Sequence, residues 1–539
     1  MQKGQTKEIP NLRFVIGHPQ GGELVSAYMA NNETVRDFYG PHFRDLSAFS
    51  LKAEEVDGTF DRAARERAAE ALIVPPGGDR SRLDRFVDEG GYMVTTGQQA
   101  ALFGGPLFSL YKALTAVRLA EVLEDKLERP VIPVFWVGSE DHDWEEASQV
   151  GVVGVDNEIH HLQVANPNPS RTPPLHKVQL NDDVSEVVAE FLCHLPDTDF
   201  SYEYKALLGD AFIPGKTLVD GFHKTLQYLT GRFGLFFTDA AHPVVKRDSA
   251  EVLLAELDRA EEFEGVLQNT ADALTTAGYP LQVSILKDSV NLFLEGPAGR
   301  ERLYRQNSKY RLRRSGDEVS REDIQKCVDA DPLALSPNVL LRPVVEATLF
   351  PTLAYVGGPG ELAYFGQLRD YFAAHGTSMP VLYPRHAAMP VEAKIGKVLD
   401  KFGLDVDALA QPFHEVVGDV ARHEIPDKVK SALLELRTTI GSRMGELTIA
   451  VKEVDPTLSG PVKQVRTDVF SAFDELERKV LQAVKRGSEI HLSQIEKAQV
   501  HLYPGGKPSE RVQSPFYFLT RYGGPVLDVL YDSFKVNLE

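Results

Sequence analysis

The run Val131–Val137 is almost continuously apolar and is bounded by Pro130 and Gly138, the pattern of a strand buried on both faces. Ahead of it, Tyr92–Thr95 is short and β-prone. Leu107–Leu127 carries Leu110, Leu114, Val117, Leu119 and Val122, mostly at helical spacing. Between the two lies Thr96–Pro106, where Gly97, Gly104 and Gly105 permit tight turns and close backbone approach to a ligand. Strand, loop, helix and strand make a βαβ unit, and open parallel sheets bind ligands at the carboxyl ends of their strands. The same grammar returns further on. Arg232–Asp239 (RFGLFFTD) predicts a second buried strand. Pro351–Val356 leads into Gly357–Glu361 and a helix over Leu362–Ala374, and Met379–Tyr383 is a last short strand.

Around this core the pattern predicts mostly helix before residue 90, with helices over Ala27–Tyr39 and Ala63–Ile73 and a break at Pro75–Gly78. Val150–Val155 and His161–Val164 are strand candidates, followed by the proline-rich excursion Asn166–Pro174. Ser249–Thr276 predicts one helix or two. Pro280–Glu295 predicts a hairpin turning at Lys287-Asp288, and Val339–Val345 is β-prone.

Beyond residue 388, Val429, Leu433, Leu436, Ile440, Met444, Leu447, Val451 and Val454 step by 4, 3, 4, 4, 3, 4 and 3, a heptad pattern with one stutter. A second such pattern runs from Val462 to Ala483, past Ser459-Gly460-Pro461. Two helices of about 25 to 30 residues, each about 40 Å long at roughly 1.5 Å per residue, form an antiparallel hairpin. Its apolar seam predicts a homodimer.

The expected fold class is therefore α/β: a Rossmann-type parallel-sheet core with inserted connecting segments and a long antiparallel α-helical coiled coil. The core is read over residues 1–155, 231–250 and 331–387, with insertions over 156–230 and 251–330. The coiled coil takes 388–500, and a C-terminal segment, 501–539, docks on the core.

A chain of 539 residues implies two or three such units. Its net charge of −20 repels phosphate backbones and argues against nucleic acid as the main partner. The two cysteines, Cys193 and Cys327, form no CxxC pair, which excludes a disulfide framework and a thiolate zinc site. The first residues contain no apolar signal core and the chain has no membrane-length apolar run, so a cytoplasmic protein without membrane contact is expected.

The candidate chemistry sits on the two loops of the first βαβ unit. The glycine loop ends at a helix start, whose free N–H groups and dipole suit an anion, and Gln98 and Gln99 add donors and acceptors. Glu140-Asp141-His142-Asp143 sets three carboxylates around one imidazole, a setting that raises the imidazole pKa and suits acid–base work. Such a loop also serves as a solvated face or a helix N-cap. Asp239 stands at the same sheet edge or caps the following helix. Glu361, near a helix start, is placed for a cation or amine or serves as a dipole-compatible first-turn residue, and Arg385, at a strand end, clamps a carboxylate or pairs with an acidic neighbour to fix its loop. The basic stretch Arg300–Arg314 suits an anionic substrate or pairs with acidic neighbours. His160-His161 is a poor chelate, because adjacent strand residues face opposite ways. No metal site is assigned beyond Mg²⁺ accompanying a nucleotide. The tail opens with Pro504-Gly505-Gly506-Lys507-Pro508, which matches neither a Walker A loop nor GxGxxG.

Taken together, TGQQAxLFxGPL (from Thr96) and PVFWVxxEDHD (from Pro133) resemble the cysteine-adding enzymes of bacillithiol biosynthesis. SPNVLLRP (Ser336–Pro343), GGPGELAY (Gly357–Tyr364), YPR (Tyr383–Arg385) and YPGGKPSERV (Tyr503–Val512) continue the resemblance in order over most of the chain. It implies a Rossmann-type core related to class I aminoacyl-tRNA synthetases, and a ligase joining L-cysteine to glucosaminyl-malate; because a free carboxylate is a poor electrophile, that chemistry in turn implies ATP. In that frame His142, Asp141 and Asp143 are catalytic, and Gly97, Gln98 and Gln99 place substrate. Asn338 and Glu361 contact cysteine or the sugar amine, and Arg385 takes the malyl carboxylates. The resemblance further implies an ADP site near the tail, for which Tyr503, Gly505, Gly506, Lys507 and Arg511 are the candidates. Two other readings stand beside it: a metal-dependent hydrolase or transferase with the EDHD loop as ligands, and a non-catalytic nucleotide-binding coiled-coil protein.

Overall fold

The computed structural model describes residues 9–486 and 489–539. They fall into two compact units. One reaches to Pro390 and resumes over Glu510–Glu539; the other is Val391–Ser509.

The first unit is built on a five-stranded parallel sheet. Its strands are β1 (Tyr92–Gln99), β2 (Val131–Gly138), β3 (Phe236–Asp239), β4 (Thr352–Gly357) and β5 (Val381–Pro384), in the spatial order β5-β4-β1-β2-β3. The helix α1 (Leu107–Leu127) crosses from β1 to β2, α2 (Pro243–Asp258) follows β3, and α3 (Pro359–Phe365) follows β4. The chain grows outward from β1 in one direction to β3, then returns on the other side of β1 with β4. The switch point lies between β1 and β4, and a crevice opens there at the carboxyl ends of the strands. The register aligns those ends: Gln99 faces Gly138, Val137 faces Asp239, Thr96 faces Val356, and Gly357 faces Pro384.

The apolar run of β2 now has a physical reason. Ile132, Val134 and Trp136 enter the hydrophobic cluster on one face of the sheet, while Phe135 and Val137 enter the cluster on the other. Both faces are covered, so alternation is lost, as parallel sheets require. The helix α1 is buried on most of its circumference, polar residues Ser109, Lys112 and Thr115 included.

A second sheet, antiparallel and five-stranded, runs in the order Glu318–Val319, Lys309–Leu312, Gly299–Gln306, Ser289–Gly296, Leu335–Pro337. It corrects two expectations. The hairpin does not turn at Lys287-Asp288; it turns at Pro297-Ala298, and the segment before Ser289 is irregular. Val339–Val345 is not a strand. Asn338 Oδ1 accepts from the N–H groups of Leu340 and Leu341, at 2.9 and 3.1 Å, and a helix runs from Arg342 to Leu349 with Pro343 in its first turn. An aspargine-type cap followed by proline at a helix start outweighs the β-propensity of the valines. The helix expected over Ala27–Tyr39 is also broken. Glu23–Met29 and Arg36–Tyr39 are helical, with Asn31 at φ 56° between them. Ser249–Thr276 belongs to two helices, α2 and Ala260–Thr276. The strands Gln149–Val153 and Ile159–Gln163 form an antiparallel hairpin.

In the second unit, α4 (Asp427–Ala450) and α5 (Ser459–Arg486) form the helical hairpin that the heptad spacing predicts. Arg437 bonds Asp474 across it at 2.7 Å. No residue of α4 is buried: Val429, Leu433, Ile440 and Met444 are half-covered, whereas Leu436 and Leu447 are exposed.

Candidate functional site

At the switch point, a cavity of about 680 Å³ is lined by Gly97–Gln99 of β1, the loop after β2, the loop after β4 and the second sheet. Gly97 lies inside β1, which runs further than its β-prone start. A Cβ there would stand 3.0 Å from the Trp136 carbonyl oxygen, so glycine lets β1 and β2 remain in register at the mouth of the cavity.

Lys112 projects from α1 beneath this edge. Its ammonium is 3% exposed and donates to Gly97 O at 2.7 Å and Gln98 Oε1 at 3.0 Å, and it pairs with Glu361 at 2.5 Å. Burial lowers the Lys112 pKa, and the Glu361 carboxylate opposes the fall. Burial pushes Glu361 upward, but the Lys112 charge together with the hydrogen bonds from Lys112, Tyr355 and Gly358 outweighs it and holds the carboxylate below its ordinary range. Glu361 also accepts from Tyr355 OH at 2.5 Å and from the Gly358 N–H at 2.8 Å. A buried carboxylate with three donors is fixed in place. Arg342 extends the network: it pairs with Glu346 at 2.5 Å and donates to the Tyr355 and Tyr364 hydroxyls at 3.3 and 3.4 Å.

The EDHD loop divides its labour. Glu140 is buried and bound to Lys246 at 2.6 Å. Asp141 Oδ1 accepts from the His142 N–H at 2.7 Å and the Asp143 N–H at 3.3 Å, which shapes the turn. Asp143 caps the short helix Trp144–Ala147 through Glu146 N at 3.1 Å, and its carbonyl accepts from Gln99 Nε2 at 3.0 Å. Asp143 thus takes the N-cap role, and it does not line the cavity.

His142 does line it, in a state opposite to the expected one. Burial lowers its pKa, the Arg300 guanidinium lowers it further, and Asp141, 3.7 Å away, offsets only part. Arg300 lies 3.1 Å from Nδ1. A guanidinium only donates, so Nδ1 accepts and the proton of the neutral ring is assigned to Nε2. Arg300 itself is locked by Ser336 Oγ at 2.8 Å and Pro337 O at 2.7 Å, with its guanidinium 4.0 Å over the Phe293 ring.

The structure brings Gly97, Gln98, Gln99, Asp141, His142, Asn338, Glu361, Arg385 and Arg511 to one cavity. Asn338 and Arg385, like Glu361, are already engaged. Both ends of the Asn338 amide are used, Oδ1 as the helix cap and Nδ2 on Asn291 at 2.8 Å. Arg385 is 1% exposed and grips Glu510 in a bidentate pair at 2.6 and 3.0 Å. The glycine loop does not act as an anion cradle. Leu107 N donates to Gln513 O at 2.9 Å, and Phe103 is buried against Phe191 and Phe212. Tyr503, Gly505, Gly506 and Lys507 belong to the second unit, whereas Arg511 belongs to the first. Asp239 closes β3 and accepts from His223 at 2.9 Å and Ala241 N at 2.7 Å; His242 caps α2.

Sequence reasoning passed over Lys112, Tyr355, Arg342 and Glu146. The signal for Lys112 is a cation within the otherwise uncharged span Leu107–Val117. The basic stretch splits. Arg300 and Arg302 line the cavity, whereas Arg305 pairs with Glu264 and Lys309 with Glu318. Among the described residues, no carboxylate stands within ion-pair distance of Arg300, Arg302 or Arg511.

The profile of the bacillithiol biosynthesis BshC N-terminal Rossmann-like domain matches residues 15–386, and that of the BshC C-terminal coiled-coil domain matches residues 388–537. The chain belongs to the BshC family. Among its relatives, the protein provisionally named cysteine ligase BshC from Salinibacter ruber is 31% identical, over 96% of this chain and 94% of its own. The same-named protein of Symbiobacterium thermophilum is 31% identical over 96% and 95%. That of Bacillus cereus is 28% identical over 83% and 84%. The family carries the Rossmann-type core and coiled coil seen in the fold.

Proposed function

We propose that this chain joins L-cysteine to glucosaminyl-malate by an amide bond, in the cavity at the switch point. The relatives' name supports the bond type, and the motif resemblance supplies the second substrate. One observation carries the reading: Arg300, held by Ser336, Pro337 and His142, and Arg302 and Arg511 bring guanidinium charge with no carboxylate partner among the described residues to a cavity that also holds Asp141 and Glu146. A malyl group carries two carboxylates, the ligand that planar guanidinium forks fit. The sugar amine is a cation until it loses a proton, and the acidic side of the cavity suits it.

In the reaction, the sugar amine attacks the activated carboxyl carbon of cysteine. The C–N bond forms, the bond to the activating group breaks, and the amine proton passes to a base. Glu146 is assigned that role: burial raises its pKa, and Asp143 and Asp141 raise it further. His142, neutral and donating from Nε2, stabilises the developing oxyanion or the leaving group. Lys112, Glu361 and Tyr355 hold the β1 and β4 loops in their working positions.

A free carboxylate is a poor electrophile, so ATP is the expected source of activation. The turn Pro504–Gly506 does not fit a phosphate cradle. Gly506 N donates to Tyr503 O at 2.9 Å and Lys507 N to Pro504 O at 3.3 Å, so these amides are spent within the turn. Tyr503 is buried, which with Asp407 pushes its hydroxyl up to about 12. No residue is therefore assigned to the nucleotide. Exposed Leu436 and Leu447 on α4 support a homodimer formed through the helical hairpin, and exposed, unpaired Cys193 and Cys327 fit a reducing cytoplasm.

Titration of glucosaminyl-malate into wild type and Arg302→Met tests the assignment. Arg302 is chosen because Arg300 also positions His142. The variant is expected to bind about tenfold or more weakly, as loss of a charged partner at a closed site does. Equal affinity would remove the guanidiniums from substrate recognition.

A further inference from the structure

Away from the cavity, the hairpin Gln149–Val153/Ile159–Gln163 carries a cluster that adjacent-residue spacing conceals. His160 and His161 do face opposite ways: His160 stands opposite Val152 and His161 opposite Gly151. The partner of His160 comes instead from a distant helix, Asp183–His194. Its last residue, His194, stacks on the His160 ring with centroids 3.7 Å apart and planes 19° apart. Asp156, in the hairpin turn, puts Oδ2 2.8 Å from His160 Nε2. One donor atom from each of Asp156, His160 and His194 lies within 4.8 Å of the others.

Three further features suit an ion. Asp156 Oδ1 accepts from Glu158 N at 3.0 Å, which orients the carboxylate and turns Oδ2 towards His160, so that an ion would take the place of the proton between them. Gly154 clears the space: a Cβ there would stand 2.6 Å from Asp156 Oδ1 and 3.1 Å from His160 Nε2. His194 ends its helix, where the dipole favours positive charge.

We propose that Asp156, His160 and His194 form a divalent transition-metal site of the zinc type, which clips the hairpin to the end of the helix Asp183–His194. Two imidazoles and one carboxylate are a common donor set for Zn²⁺, with water completing a tetrahedron. The site is separate from the reaction proposed above and does not depend on it.

The test uses tag-free, chelator-treated full-length protein and Zn²⁺ alone, with affinity read by competition against a chromophoric chelator. Wild type is expected to take up one Zn²⁺ per chain at this site and to melt at a higher temperature with Zn²⁺ present. His194→Ala and Asp156→Asn are expected to weaken uptake about tenfold or more and to lose the shift in melting, whereas His161→Ala retains both. Asp156→Asn preserves side-chain volume and covers the case in which His194→Ala fails to fold. Absence of uptake by wild type, or uptake that neither variant weakens, would overturn the site.

Discussion

The imidazoles of this chain show how environment, not residue type, decides chemistry. His142 sits among carboxylates in sequence, yet burial and Arg300 keep it neutral. His386 is more extreme. It stacks on Phe534 with centroids 4.8 Å apart, lies 3.1 Å from Lys535 O, and burial drives its pKa down to about 3. Its folded-state pKa is below the unfolded value, so the unfolded chain takes up the proton first. Stability is therefore full above the unfolded value of 6.5 and is lost as pH falls towards 3. The loss is up to about 1.4 kcal/mol per pH unit for this one group. Urea titrations at pH values from about 7.5 to about 4.5 are expected to show a shallower decline for His386→Phe than for wild type. Parallel declines would mean that His386 is not a buried neutral ring. At this scale the sequence exposes the loops but not the pairings. Lys112 looks like any helix lysine, and Arg385 reads as a clamp or a loop-fixing pair with no partner named, because Glu361 and Glu510 reach them from 249 and 125 residues away.

Elements are legible where one local pattern dominates. The buried strands β1 to β5, as short apolar runs, and the heptad helices, whose spacing holds apart from one stutter, are found. Val339–Val345 is not, because its cap and proline override propensity, and the second sheet is only partly foreseen. Its key strand begins at Gly299, with φ at +103°. A Cβ there would stand 2.5 Å from the Thr172 carbonyl, and the next residue, Arg300, donates its N–H to Thr172 O at 2.9 Å. The proline-rich excursion thus anchors the strand that carries Arg300 and Arg302. Gly299→Ala is expected to cost about 1–3 kcal/mol in a urea titration and to reduce turnover by misplacing both arginines. Unchanged stability would show that the contact yields without strain.

For the whole molecule, the two units meet different demands. The first supplies a sheet edge with a cavity. The second exposes Leu436 at 48% and Leu447 at 46% on a helix with no buried residue, a surface suited to a second copy. Light scattering is expected to give a dimer for the wild type and a monomer for Leu436→Glu/Leu447→Glu; a monomeric wild type would remove the seam's assigned partner. The central claim concerns the cavity, and one measurement reaches it directly: purified protein with glucosaminyl-malate, L-cysteine and Mg-ATP, followed together by mass spectrometry of the thiol and by nucleotide analysis. Bacillithiol with release of AMP or ADP is expected from the wild type, and neither product from His142→Ala. Intact nucleotide and no thiol product from the wild type would contradict it.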